Sequence, residues 1–582
     1  MAAEPYWGDT HVHTTYSMDA FMFGTNIDPS AAYRFARGVP VIQPVTGAWI
    51  QIRRPLDFIV ISDHAEMLGV AAGVATEESL ISSTSTGRKY IQWFKEGRLG
   101  DIYADFVKVL VGGEDTDVND DRIKKSIWSR VADAADLNNL PGKFTAFTGW
   151  EWTSNTNGAN LHRVVFTPAD ASTAKKFTPY SAFDSAKPED LWKWLTKIRK
   201  ETGADFVAIP HNSNVSKGKM FDMADSEGRP ISAEYARNRM MWEVAAEVTQ
   251  IKGTSETHPA LSPTDEFAGF ELYTTLLQGR KDGVKAVARP SEADYLRSAL
   301  KRGMEIQQRT GVNPYKVGLI GSSDTHTGLA SSDEDEFYGK SVIDMLPADK
   351  EKEFPGIPTN GWEMSASGLA AVWATENTRE AIFAAFKRRE VYATTGPRIM
   401  LRFFGGFGFN AEDASAADIA SVGYARGVPM GGDLLRAPKD KAPSFLVHAV
   451  RDPIGANLDR VQIIKGWVDA SGKAQERIYD VAWSGNRTMD VNGKLEAVGD
   501  TVDTENVRYS NSIGSPQLSR VWVDPDFNPS ETAFYYVRVL QIPTPRFSLY
   551  DAKALQIDHS ETGQPASIQE RAYSSPIWYN PK

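Results

Sequence analysis

The chain has 582 residues, no cysteine and nine histidines, and its 64 basic against 75 acidic residues give a formal charge of −11. At roughly 150 residues per domain the length suggests three or four domains, although a barrel absorbs 250 or more. Zero cysteine excludes disulfides, thiolate metal sites and cysteine nucleophiles, and the acidic balance argues against a general nucleic-acid binder, which carries a basic excess.

Strand signals begin at residues 8–13 and recur at 55–64 (PLDFIVISDH), 144–151 (FTAFTGWE), 161–166 (LHRVVF), 205–211 (DFVAIPH), 269–273 (GFELY) and 316–326 (KVGLIGSSDTH). Continuous apolar runs such as FIVI and VGLIG are typical of parallel strands buried on both faces. Between them lie helical patterns with recognisable ends. Pro188 opens 189–202 and Gly203 closes it, Ser291 precedes a pattern ending near Gly303, Thr378 precedes 379–389, and 232–251 reads as helix. The alternation argues for βα units in a parallel sheet or barrel. The connections 20–54, 64–140, 214–266 and 327–368 are long and follow strand C-termini, where α/β barrels build their sites, so they are expected to line a pocket.

After about Arg398 the texture turns β-rich, with strand signals at 444–450, 460–468, 475–483, 520–523 and 533–540, which reads as a β-sandwich. The segment 573–579 (YSSPIWY) is too aromatic for a loose tail and is expected to dock on the body. The division is therefore 1–397, a heavily inserted α/β barrel, and 398–582, a sandwich-like domain packed on it. No apolar run approaches the roughly 18 residues that span a membrane. Residues 1–5 (MAAEP) lack the features of a signal peptide, so a cytoplasmic protein and an exported one with its signal removed both fit.

Six of the nine histidines, His11, His13, His64, His162, His211 and His326, fall at the C-terminal ends of the expected strands. Asp9, Asp63, Glu151, Glu271 and Asp324 join them. Strand residues i and i+2 share a face, so His11-Val12-His13 aims two imidazoles into one space, and Asp324-Thr325-His326 a carboxylate and an imidazole. Histidines with a bridging carboxylate hold two or three divalent ions in many hydrolases. His258, His448 and His559 lie outside this pattern, and Trp150 and Trp152 are expected to turn away from the metals beside Glu151.

The run Asp9, His11-Val12-His13-Thr14, Ser62-Asp63-His64, an isolated glutamate, two isolated strand-end histidines and Asp324-x-His326 resembles the polymerase and histidinol phosphatase (PHP) superfamily over about residues 6–400. The closer resemblance is to a large, poorly characterised PHP-like family that covers the whole chain, including the phrases DPDFNPSETAFYYVRVL and ERAYSSPIWY. The resemblance implies a distorted (β/α)7 barrel with two or three divalent ions, Zn, Mn or Fe. It implies His11, His13, Glu151 and Asp324 at a first ion, Glu151 bridging to a second with His162 and His211, and Asp19, His64 and His326 at a third. Asp19 stands where the superfamily often has histidine.

These features predict a hydrolase using metal-activated water on a small-molecule substrate, with a phosphoester first and an amide, carboxyl ester or sulfate ester as alternatives. Asp63 is a candidate for orienting His64 or relaying a proton, and Arg163, Lys217 and Arg398 are candidate anion contacts. The competing class is a non-catalytic metal- or glycan-binding protein. No P-loop and no Gly-x-Ser-x-Gly elbow is present, which argues against nucleotide-driven and serine-hydrolase chemistry.

Overall fold

Strand β1 (Glu4–Val12) lies between β2 (Phe58–Ile61), to which it is parallel, and β8 (Leu369–Ala374), to which it is antiparallel. Gly8 permits the β1–β2 approach, since a Cβ there would sit 2.3 Å from the Phe58 carbonyl oxygen. The computed structural model describes residues 3–112, 116–276, 286–355, 357–491 and 493–581. Strand β3 (Thr145–Trp152) runs parallel to β2, and the pairing extends to His64 opposite Glu151. Then β4 (Arg163–Thr167) and β5 (Val207–Pro210) follow, each antiparallel to its predecessor.

The sheet is therefore mixed rather than parallel, and this corrects one detail of the histidine pattern. His162 precedes its strand, and the reversed direction of β4 brings it beside the C-terminal end of β3. A second correction concerns the sixth strand. Residues 269–273 form no strand, and the helical pattern over 232–251 ends early as α4 (Ala233–Trp242). The chain then enters β6 (Ala245–Gln250), which pairs in parallel with β7 (Gly318–Gly321) in a separate sheet. That sheet meets the first along two seams. β5 packs beside β6, and the chain leaving β7 returns to β1, where His13 N donates to Thr325 O (2.9 Å) and Asp324 N to His11 O (2.8 Å).

Helix α3 (Pro188–Thr202) has proline in its first turn and Gly203 at φ 80° beyond its end, as read from the sequence. Helix α6 (Arg379–Arg388) is capped by the Thr378 side chain. Helix α5 (Leu296–Thr310) starts later than Ser291 and runs through Gly303 to Gly311. Gly303 is a packing glycine, because a Cβ there would lie 2.1 Å from the Asn313 side chain. Among the described residues no helix is long and apolar enough to cross a membrane.

The C-terminal region stacks two antiparallel layers. One contains β10 (Met400–Gly406), β11 (Ser444–Val450) and β14 (Gln517–Val523); the other contains β12 (Leu458–Val468), β13 (Ala474–Trp483) and β15 (Ala533–Gln541). Phe403, Phe445, Val461, Ile463, Tyr535 and Val537 fill the space between. The second layer is continuous with the N-terminal sheet. Strand β16 (Arg571–Ser574) bonds both β15 and β9 (Val391–Thr394), and β9 bonds β8. The aromatic tail thus docks as strand, with β17 (Ile577–Asn580) also on β15, and hydrogen bonds cross the 397/398 division.

A buried ion network pins the two regions together. Arg538 meets Asp265 (2.7 Å) and Glu256 (3.2 Å), and Arg297 meets Glu256 (2.5 Å) and Asp265 (2.9 Å). Tyr536 OH donates to Glu256 at 2.6 Å.

Candidate metal centre

Glu151 ends the apolar strand β3 and is buried. Its oxygens face five imidazoles: Oε2 lies 3.2 Å from His11 Nε2, 3.2 Å from His13 Nε2 and 3.5 Å from His64 Nδ1, while Oε1 lies 2.7 Å from His162 Nδ1 and 3.3 Å from His211 Nε2. Asp324 Oδ1 stands 3.4 Å from both His11 and His13, and Asp19, carried by the short helix α1 (Met18–Met22), lies 2.9 Å from His326 Nε2 and 3.4 Å from His64 Nε2. Three triads have donor atoms within 4.8 Å of one another: His11, His13 and Asp324; His11, Glu151 and His211; and His13, His64 and His326. All nine residues expected as ligands are thus brought together.

The far ring nitrogens fix which near nitrogens carry a lone pair. Glu247 Oε1 accepts from His11 Nδ1 (3.0 Å), Ser17 Oγ from His13 Nδ1 (2.8 Å) and Asn155 Oδ1 from His162 Nε2 (3.1 Å). Each bond leaves the other nitrogen of the ring unprotonated and facing the cluster, which is the usual outer support of a metal-bound histidine. His11 Nε2 and His13 Nε2 are only 3.1 Å apart, an unfavourable meeting of two lone pairs unless a cation or proton lies there. The donor set of imidazole and carboxylate suits Zn, Mn or Fe.

Electrostatics agree. Burial opposes ionisation of Glu151, yet His64, His211 and His162 hold it well below the carboxylate range. Burial likewise opposes Asp19, and His326 and His64 outweigh it. Against its own burial, His11 is pushed up to about 10 by Asp324 and Glu247, so a proton occupies it when no divalent ion does. Burial drives His162 down to about 4 and His326 down to about 3, leaving both imidazoles neutral. Asp324 and Asn212, next to His211, are held at φ 59° and 47°, a left-handed strain that clusters at functional sites.

Other candidates fall elsewhere. Asp63 accepts from Thr14 N (2.6 Å), Thr14 Oγ1 (2.7 Å) and Ser17 Oγ (2.8 Å), so it positions His13 through Ser17 and does not reach His64's ring. Asp9 is spent on His11 N (2.9 Å) and Ser323 N (3.1 Å). Glu271 pairs with Arg546 (2.8 Å), because 269–273 is not a strand and its side chain turns away. Arg163 is buried on Glu243 (2.9 Å), and Arg398 donates to the Arg54 and Pro55 carbonyls (2.9 and 2.7 Å). Lys217 donates to Asn157 O (3.0 Å) at the surface. None of these three cations lines the cavity at the cluster.

The cations that do line it are Lys252 and Lys340, which reach Asp324 at 2.6 and 2.7 Å. Neither belongs to a motif, and both follow strand ends within long insertions. Glu247 was also hidden, although the pattern AAEVTQ puts Glu247 and Thr249 on one face by strand alternation.

The fold and site are those of an α/β protein with a buried histidine–carboxylate centre. The family model described as "Protein of unknown function (DUF3604)" matches residues 1–581, and the chain belongs to that family. Among solved structures it is similar to a two-domain protein from Bacteroides vulgatus containing a predicted PHP-like metal-dependent phosphoesterase. That likeness has 10% identity, covers 90% of this chain and 95% of the other, and has a TM-score of 0.27. No curated protein matches the chain.

Proposed function

We propose that the chain is a metal-dependent hydrolase acting on a phosphoester. In this reading residues 1–397 form a distorted (β/α)7 barrel of PHP type and 398–582 a sandwich packed on it. His11, His13, Glu151 and Asp324 hold one divalent ion, Glu151, His162 and His211 a second, and Asp19, His64 and His326 a third. The observation that carries the proposal is Glu151, one buried carboxylate faced by five imidazoles. Without cations such a cluster is costly, since buried charges persist when paired or bound to metal.

The ions would supply an acidified water and Lewis-acid polarisation of the scissile group. The chain's own part is to orient and exclude. Glu247, Ser17 and Asn155 fix the tautomers of His11, His13 and His162, and Asp63 holds Ser17 in place. Lys252 and Lys340 supply positive charge at the cavity, which favours an anionic ester over an amide.

The test is metal analysis with a screen of the metal-reconstituted protein against aryl phosphate, phosphodiester, sulfate, carboxyl ester and amide substrates. The expected result is two or three bound Zn, Mn or Fe ions and fastest turnover of a phosphoester. Absence of metal and of turnover on every substrate would overturn the proposal.

A further inference from the structure

The cavity at the cluster has two unlike walls. One holds the histidine–carboxylate centre with Lys252 and Lys340, both less than 10% exposed. Among the described residues, Asp324 is the only carboxylate within ion-pair distance of either lysine. A single carboxylate compensates two ammonium groups poorly, and it compensates them less once it also faces a divalent ion. Lys340 Nζ also donates to His326 Nδ1 (2.9 Å) and to the Asp324 carbonyl, but neither neutral partner cancels its charge, so an anion entering the cavity would complete the balance.

Much of the remaining lining is apolar. Helix α2 (Leu99–Gly112) turns Tyr103, Phe106, Val107 and Leu110 into the space, a stripe at i, i+3, i+4 and i+7, and Phe354 and Met364 continue it from the insertion after β7. The inner edge of the stripe packs on a hydrophobic core, in which Phe106 is buried. Tyr103, Val107 and Leu110 remain only half-buried beside the cavity. Sugar hydroxyls placed against Phe106, Val107, Leu110, Phe354 and Met364 would lose water without gaining partners. The cavity volume of about 250 Å³ suits a monocyclic aryl or short branched alkyl group rather than a polymer.

We propose that the site takes an amphipathic ester, with a tetrahedral anionic head held by Lys252 and Lys340 and an apolar group of about phenyl size lodged against Tyr103, Phe106, Phe354 and Met364. This rests on the hydrolase reading above and adds the substrate class. Hydrolysis places the oxygen of water on the acid product and a proton on the departing alcohol, so no further reactant is needed.

The experiment is calorimetric titration of the metal-reconstituted protein with phenylphosphonate, methylphosphonate and benzenesulfonate, none of which is an ester. Burial of the ring predicts that phenylphosphonate binds roughly tenfold or more tightly than methylphosphonate. Phe106→Ser and Met364→Gln should each narrow that ratio, and Lys252→Met should weaken both phosphonates. Tighter binding of benzenesulfonate than of phenylphosphonate supports the proposal with a sulfate-type head. Equal affinity for phenyl- and methylphosphonate in the wild-type protein overturns it. If 4-nitrophenyl phosphate is still turned over in that case, the hydrolase reading survives and only the substrate class falls.

Discussion

Two regions of this molecule bury dense charge, and they solve it in opposite ways. At the joint between the N- and C-terminal regions, Arg297 and Arg538 meet Glu256 and Asp265, two cations for two carboxylates, with Tyr536 adding a donor. Glu476, which also meets Arg297 (3.4 Å), is matched by Lys301 (2.6 Å), so every carboxylate of the network has a cation. At Glu151, six imidazoles and three carboxylates converge, His11, His13 and His162 with their lone pairs inward, and two imidazole nitrogens meet at 3.1 Å. Burial and charge alone therefore do not mark a functional site. What marks it is a surplus of electron-pair donors that the protein itself does not satisfy.

The largest effect is expected from Glu151→Gln, which should remove metal and turnover together. Bound ions supply several kcal/mol of charge stabilisation, so the loss in kcat/KM should be roughly 10³-fold or more. Metal analysis alongside kinetics checks it, and a variant that keeps full metal content breaks the contrast between the two clusters. At the joint, Arg538→Met should leave Glu256 and Asp265 short of a cation and cost about 3–5 kcal/mol, read by denaturant unfolding, with metal content per folded chain retained.

A third charged group, half-buried Glu334 beside buried Glu570, is incompletely balanced. Burial pushes Glu334 up to about 7, and burial and Glu334 push Glu570 well above its usual range, with Arg546 offsetting part of the cost. The unfolded glutamate titrates near 4.5, so between about 4.5 and 7 the folded chain binds more protons than the unfolded one. Stability therefore falls as pH rises through that window. Glu334→Gln should flatten the slope and raise stability at pH 8 by on the order of 1–3 kcal/mol, with little gain at pH 4.5. Thermal unfolding against pH measures it. The smallest effect belongs to Arg398→Ala. Its guanidinium serves backbone carbonyls outside the cavity, so kcat/KM should stay within about twofold, as for a substitution away from the reacting groups.

Much of the site was legible in the sequence because strand geometry carries it. His11-x-His13 and Asp324-x-His326 share faces by two-residue alternation, and Glu151 closes an apolar run where a lone carboxylate has no cheap alternative. The sixth strand was hidden because the helical pattern of α4 runs up to Trp242 and the short strand that follows is interrupted by Glu247. GFELY mimicked a strand by composition, but tertiary contacts turn Glu271 to Arg546. Lys252 and Lys340 carried no signal, since lysine is ordinarily a surface residue and only the folded insertions bring these two to Asp324. Arg163 and Arg398 show the converse. Their types suited an anion, and local partners had already claimed them.

The most direct measurement is anomalous diffraction from crystals of the protein grown with zinc or manganese and collected at the metal edge. The expected map has at least two strong peaks, one bounded by His11, His13, Glu151 and Asp324 and one by Glu151, His162 and His211. A map at saturating metal with no peak among these residues would contradict it.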